Sequence, residues 1–186
     1  GSGIDGSRHA GPSARSRWHD ETERGRGVDS GRLNELEARG PSCQPDTMAV
    51  FQHTLVFRTS GRGTYEITEQ VREAVRTCGI RTGMVSLFCQ HTSCSLVVME
   101  NADPSARRDL EAWLDRLVPE DVSWFEHTLE GPDDMPAHIK MALTRTCETL
   151  PFSNGSLLLG TWQGLFLWEH RSAPHARHLV VTIFGD

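Results

Sequence analysis

Gly83-Met-Val-Ser-Leu-Phe-Cys-Gln-His-Thr-Ser-Cys-Ser-Leu-Val-Val-Met-Glu100 holds two apolar runs parted by a polar break at His91-Thr92-Ser93. Runs this short, rich in Val, Leu and Phe, predict strands over 83–91 and 94–100. Upstream, residues 50–58 alternate, with Phe51, His53, Leu55 and Phe57 on one face, as a half-buried strand does. Gly61-Arg-Gly63 reads as a loop. Ile67, Val71, Ala74, Val75 and Cys78 then follow helical spacing, with Thr68 as N-cap and Gly79 as the stop. Downstream, Asp103-Pro104 predicts a helix start, with a capping carboxylate followed by proline in the first turn. An apolar stripe of Ala106, Leu110, Trp113, Leu114 and Leu117 follows and ends before Pro119. Residues 120–134 read as a long acidic loop and Met135–Thr146 as a short helix. Three closing strands are expected near 156–160, 162–170 and 178–184. Strands cluster and helices come singly, which predicts an α+β domain with a mainly antiparallel (mixed) sheet and about three helices.

Composition bounds the function. The chain has 186 residues, a length suited to one domain, and a formal charge of −6. Residues 1–47 hold only about 9 apolar residues against about 17 Gly, Pro and Ser, too few to offset chain entropy. They are expected to be a disordered or tag-derived extension, with a short helix around Leu33–Ala38 and the domain running from Met48 to Asp186. The domain itself carries 12 basic against 17 acidic residues, a net −5 that disfavours nucleic acid. No run approaches the roughly 18 apolar residues of a membrane span, and a signal peptide's apolar core is missing, so a cytoplasmic protein without membrane contact is expected. Five cysteines without a CxxC pair predict reduced, mostly buried thiols rather than a disulfide framework.

Three polar clusters interrupt the apolar framework. Gln90-His-Thr-Ser93 precedes a strand whose exit carries Glu100-Asn101-Ala102-Asp103; these groups lie at opposite ends of that strand and share a site only if a fold or a neighbouring subunit joins them. Asp103 has a local task as a helix cap, with Asn101 the alternative. The second cluster, His127 to His138, holds two histidines and three carboxylates (Glu130, Asp133, Asp134) around Gly131-Pro132. Imidazole and carboxylate are the usual ligands of Zn²⁺ or Mn²⁺, and paired aspartates suit a Mg²⁺ that carries phosphates. Acidic loops are also often merely solvated, and the spacing matches no strict metal motif. The third cluster is Gly160-Thr-Trp-Gln-Gly164 with Trp168-Glu-His-Arg171, where Trp162 and Trp168 are read as core residues. Ser93 beside His91 lacks the GxSxG elbow of a serine hydrolase.

In this order the clusters resemble the YjbQ-like family of small bacterial and archaeal proteins, a family named "secondary thiamine-phosphate synthase". The matching runs are Gln90–Ser93, Met99–Pro104, Glu126-His127 with Glu130-Gly131, Asp133–Lys140, and Gly160–Gly164 with Glu169–Arg171. Cys94 departs from the alanine common in the family, and residues 1–47 have no counterpart. The resemblance implies a homotrimer acting on a small phosphorylated substrate: hydroxymethylpyrimidine diphosphate is joined to hydroxyethylthiazole phosphate with release of diphosphate. For that chemistry a divalent metal (Mg²⁺, Mn²⁺ or Zn²⁺) would stabilise the leaving group as a Lewis acid. Candidate ligands are His91, His127 and His138, helped by Asp134 and Glu169; His91, His127, His138 and Glu169 are also the candidate catalytic groups. Thr92, Ser93, Asn101, Gln163 and Arg171 are candidates to bind substrate. Two other readings stand beside the transferase: a metal-dependent hydrolase of a phosphorylated or acylated metabolite, and a non-enzymatic trimer that holds a metal or anion.

Overall fold

The computed structural model describes residues 48–186; the extension and the helix expected around Leu33–Ala38 lie outside the described residues. Its centre is one strand with no exposed face. Gln163-Gly-Leu-Phe-Leu-Trp-Glu169 is buried from Gly164 onward, so side chains on both sides of the pleat must find apolar cover. Leu165 and Leu167 point into the main core, and Trp168 points the other way into a second cluster with Leu114 and Val118. Two sheets and a layer of helices supply that cover.

The elements run β1 (Ala49–Arg58), β2 (Gly63–Glu66), α1 (Thr68–Thr77), β3 (Thr82–Cys89), β4 (Cys94–Glu100) and α2 (Pro104–Leu117). They continue with α3 (Asp134–Leu143), β5 (Cys147–Ser153), β6 (Ser156–Leu157), β7 (Gln163–Glu169) and β8 (Ala176–Gly185). One sheet has the order β1-β8-β3-β5-β6 and the other β2-β7-β4, and every pairing is antiparallel. Val85, Leu87, Leu179, Val181 and Ile183 of the larger sheet meet Leu96, Leu165 and Leu167 of the smaller, and α1 closes the gap with Val71 and Val75. On the outer face of the smaller sheet, α2 and α3 bring Leu110, Leu114 and Ile139 against Trp168 and Val97. The fold is therefore the α+β arrangement expected, with antiparallel sheets and three helices. No helix among the described residues is long and apolar enough to cross a membrane.

Several local expectations need correction. Asp103 caps α2 as its position suggested, accepting from Ser105 N at 2.8 Å. Thr68 does not cap α1. It is the first helical residue, and its hydroxyl accepts from Leu165 N at 2.9 Å, pinning the helix to β7. The strand expected near 156–160 shrinks to two residues: Leu158 N still donates to the Pro151 carbonyl at 2.9 Å, but Pro151 has no N–H to return the bond and the β5–β6 ladder ends there. Asn154 and Gly155, both at positive φ (50° and 71°), make the tight β5–β6 turn. Trp162, expected in the core, sits in the turn before β7 and is 65% exposed.

His170, just past β7, is 1% exposed. Its Nε2 lies 2.9 Å from Ser95 Oγ, while Nδ1 has no partner. Burial, reinforced by the nearby Lys140 charge, pushes its pKa from 6.5 down to about 3. The folded ring thus stays neutral where the unfolded one binds a proton. Stability from this group is full above about pH 6.5 and is lost as pH falls from there toward about 3. Thermal melts should show Tm falling below pH 6.5, and His170→Gln should flatten the decline between pH 6.5 and 5, before carboxylates titrate. An equally steep decline in the variant would assign it to other groups.

Candidate metal centre

Asp134 and His138 stand one turn apart on α3, so both project from the same face of the helix. His127 reaches the same point from the loop before it. His127 Nε2 is 2.8 Å and His138 Nε2 3.4 Å from the same oxygen, Asp134 Oδ2. The three ligand atoms all lie within 4.8 Å of one another. Asp134 is 1% exposed, whereas the His127 side chain is about half exposed, which leaves one side of the cluster open to solvent.

The hydrogen bonding around His138 narrows what can occupy this point. Its Nδ1 lies 2.8 Å from the Thr92 carbonyl, which only accepts, so Nδ1 carries a proton. In the neutral ring, Nε2 then offers a lone pair toward the Asp134 carboxylate. Two acceptors face each other unless a proton or a cation lies between them. A backbone carbonyl holding the far nitrogen is also the usual way a metal-bound imidazole is oriented. Two imidazoles and one carboxylate fit a divalent ion such as Zn²⁺ or Mn²⁺.

Surrounding charge favours a cation as well. The Arg171 guanidinium is shared among Asp133 (Nε to Oδ2, 3.1 Å), Asp134, and both the carbonyl (2.8 Å) and the carboxylate (3.7 Å) of Glu130. Three carboxylates thus stand around one guanidinium. Burial tends to raise the Asp133 carboxyl, but the Ser172 N–H and Arg171 outweigh it and hold the group below its ordinary range. A cleft of about 270 Å³ opens beside His127, walled by Phe125, Thr128, Pro132 and Met135.

The other candidates fall into two places. His91 stands outside the triad: its Nε2 accepts from His178 N at 2.7 Å, its ring stacks on His178, and burial together with Arg177 lowers its pKa. Thr92 contributes its carbonyl to His138, and Ser93 Oγ accepts from Arg177 Nη2 at 3.1 Å. Glu169 faces inward, away from the triad. Asn101 and Gln163 lie at the far end of the smaller sheet, where Glu100 pairs with Gln163, whereas Glu169 pairs with Cys94 at the near end. Six strand residues separate the ends, about 20 Å. Gln163 Oε1 accepts from Gly160 N at 2.8 Å, and Asn101 N donates to the Trp162 carbonyl at 3.1 Å.

Sequence comparison places these residues among relatives. The sequence model of the family described as UPF0047 protein YjbQ-like matches residues 53–186. A UPF0047 protein of Synechocystis is 46% identical over 140 residues, covering 75% of this chain and 95% of the relative. The UPF0047 protein YjbQ of Escherichia coli O157:H7 is 37% identical, covering 73% of this chain and 99% of its own. Among solved structures, a YbjQ-like protein of unknown function from Sulfolobus solfataricus superposes with TM-score 0.69 at 26% identity, over 75% of this chain and 99% of that one. A conserved hypothetical protein from Thermus thermophilus gives TM-score 0.63 at 37% identity, over 69% and 97%.

One functional neighbour escaped the sequence reading. Arg177 is 3% exposed and grips Glu169 through two nitrogens, with Nε to Oε2 at 2.7 Å. It shares the inward parity of Leu179, Val181 and Ile183, so a charge in that register was the available signal. Glu169 also accepts from Thr59 Oγ1 at 2.9 Å and Arg171 N at 3.0 Å, which fills both oxygens. Burial tends to raise its pKa, but Arg177 prevails and lowers it. Glu169→Gln leaves the Arg177 charge buried without a counterion and should cost about 3–5 kcal/mol in urea unfolding. Glu169→Leu with Arg177→Met should cost less than the two single changes added together. Strict additivity would mean that the two side chains do not act as a pair.

Proposed function

The chain belongs to the YjbQ-like UPF0047 family, and we propose that it is a divalent-metal-dependent transferase of the thiamine-phosphate synthase type. It would join hydroxymethylpyrimidine diphosphate to hydroxyethylthiazole phosphate. The observation that carries the reading is the convergence of His127, His138 and Asp134 with Nδ1 of His138 already committed to Thr92. The resemblance supplies the substrates; the donor set supplies the chemistry. Zn²⁺ or Mn²⁺ suits two imidazoles better than Mg²⁺, which prefers oxygen ligands.

In this reaction the thiazole nitrogen forms a bond to the pyrimidine methylene carbon as the bond from that carbon to the diphosphate oxygen breaks. Negative charge grows on the leaving diphosphate. A divalent ion, when held by His127, His138 and Asp134, would supply Lewis-acid stabilisation there. The attacking nitrogen already has a lone pair, so no side chain need remove a proton. His127 and His138 would act as its ligands, and Asp134, within 3.4 Å of both rings, would bind it as well. Arg171 positions Asp133 and Asp134. The cleft beside His127 offers apolar walls to a heterocyclic ring.

Asn101 and Gln163 fit the same reading through a neighbouring copy. About 20 Å is too far for one small substrate to span within a chain. A homotrimer that sets the far sheet end of one subunit against the His127 side of the next would bring them together. Exposed Trp113, Trp124, Leu129 and Trp162 give such an assembly apolar surface to cover. A hydrolase is the second reading, favoured by the half-exposed His127 side chain, which lets water reach the cluster.

Purified protein given both substrates with Zn²⁺ or Mn²⁺ should turn over at about 1 s⁻¹ or faster. Asp134→Asn or His138→Ala should lower that rate by more than the roughly 10–100-fold typical of an outer-shell change. Diphosphate release from the pyrimidine substrate alone, equal with and without the thiazole, would replace the transferase by the hydrolase. Co-assembled His138→Ala and Asn101→Ala subunits should recover activity that neither variant has. No recovery in mixed oligomers verified by native mass spectrometry would place the whole site in one chain.

A further inference from the structure

Cys89 ends β3 in the larger sheet and Cys94 begins β4 in the smaller, with only Gln90-His91-Thr92-Ser93 between them. Both side chains are buried, at 1% and 0% exposure, and their sulfurs are 2.9 Å apart with nothing interposed. The other described thiols are placed differently. Cys78 bonds the Val75 carbonyl at the end of α1, and Cys147 is exposed beside Ser86 on β5. We propose that Cys89 and Cys94 are a redox-modification site, at which a hydroperoxide drives formation of a reversible disulfide that closes the loop 90–93. This inference stands on the thiol geometry and is independent of the metal and transferase readings.

The two sulfurs are not equivalent. The hydrogen bond between the two sulfurs lowers the Cys89 pKa, against burial and with help from Arg177. The same bond, with burial, raises Cys94. Cys89 adjoins exposed Gln90, whereas Cys94 lies between buried Ser93 and Ser95, so Cys89 is the attacking thiolate and Cys94 the resolving thiol. Cys89 sulfur attacks one peroxide oxygen, the O–O bond breaks, and hydroxide leaves to take up a proton as water. The resulting Cys89 sulfenic acid is attacked by Cys94 sulfur, which gives up its proton as the second water departs. Two thiols are oxidised and one hydroperoxide is reduced, so electrons and atoms balance. Hydrogen peroxide is about the size of water and needs only a local opening at the loop, where Gln90 and Thr92 are exposed.

Loop 90–93 is not a passive connection. Its Thr92 carbonyl holds His138 Nδ1, and Ser93 receives Arg177. A covalent tie across its two ends therefore acts on the residues that orient the metal-centre imidazole.

The test uses the full-length folded protein, treated with hydrogen peroxide, unfolded, alkylated and digested with trypsin. Both cysteines fall in the peptide Thr82–Arg107. Oxidation should yield this peptide two hydrogens lighter and without alkyl groups, and reduction before alkylation should restore two. In Cys94→Ala the peptide should instead carry Cys89 as a sulfenic or sulfinic acid, in a protein whose melting curve shows it folded. Cys89→Ala, similarly checked, should leave Cys94 alkylatable. The proposal is overturned if the native peptide still takes two alkyl groups at a peroxide dose that oxidises Cys147. It is equally overturned if the linkage forms only when peroxide is added in denaturant.

Discussion

The buried bidentate pair between Glu169 and Arg177 is the constraint on which the rest of this molecule depends. One partner closes the central strand of the smaller sheet and the other opens β8 in the larger, so a single ion pair fixes how the two sheets meet. Neither charge can stay in the core alone, which makes the alignment cooperative rather than adjustable. The remaining lone pairs of Glu169 draw in Thr59, just past β1, and the backbone of Arg171. Nη2 of Arg177, one of the two nitrogens that hold Glu169, also donates to Ser93 Oγ. Arg171 then turns its own guanidinium outward to Asp133 and Asp134. An unbroken series of charge-assisted bonds runs from the core to the start of α3, where His138 and Asp134 project.

How much of this was legible depended on whether the signal was local. The strand pair around His91-Thr92-Ser93, the alternation of residues 50–58 and the cap-plus-proline start of α2 all announce themselves within a few residues, and all three formed. β5 formed without such a local signal, because Pro151 counts against a strand and only the pairing with β3 supplies one; Asn154-Gly155 marks the turn that follows it. Thr68 had the chemistry of a cap and was used instead as a tie to β7, a choice set by tertiary contact. Trp162 was read as core from its type, yet the chain turns there before β7 begins.

The candidate site divides along the same line. His127, Asp134 and His138 lie within twelve residues, so a loop and one helical turn suffice to gather them. His91 carries the same side chain but belongs to a different surface, stacked on His178, and only the crossing of β3 into β4 decides that. Arg177 was missed because the strand was expected from 178, two residues past its start at Ala176, so its inward parity went unused. Asn101 and Gln163 join the histidines only through the family resemblance; that Asn101 lies at the opposite end of a strand from Gln90–Ser93 was legible in the sequence, and the β4–β7 register places Gln163 there too.

That length has an evolutionary consequence. Since both faces of β7 are filled, losing or gaining one residue would exchange the places of Trp168 and Glu169, putting a carboxylate among hydrocarbons and an indole against a guanidinium. A change of length inside this strand is therefore costlier than a substitution that keeps each side chain's character, unless a bulge absorbs it. The stretch between α2 and His127 carries none of the triad, and a change of length there would reshape the approach to His127 while keeping the spacing of His127, Asp134 and His138.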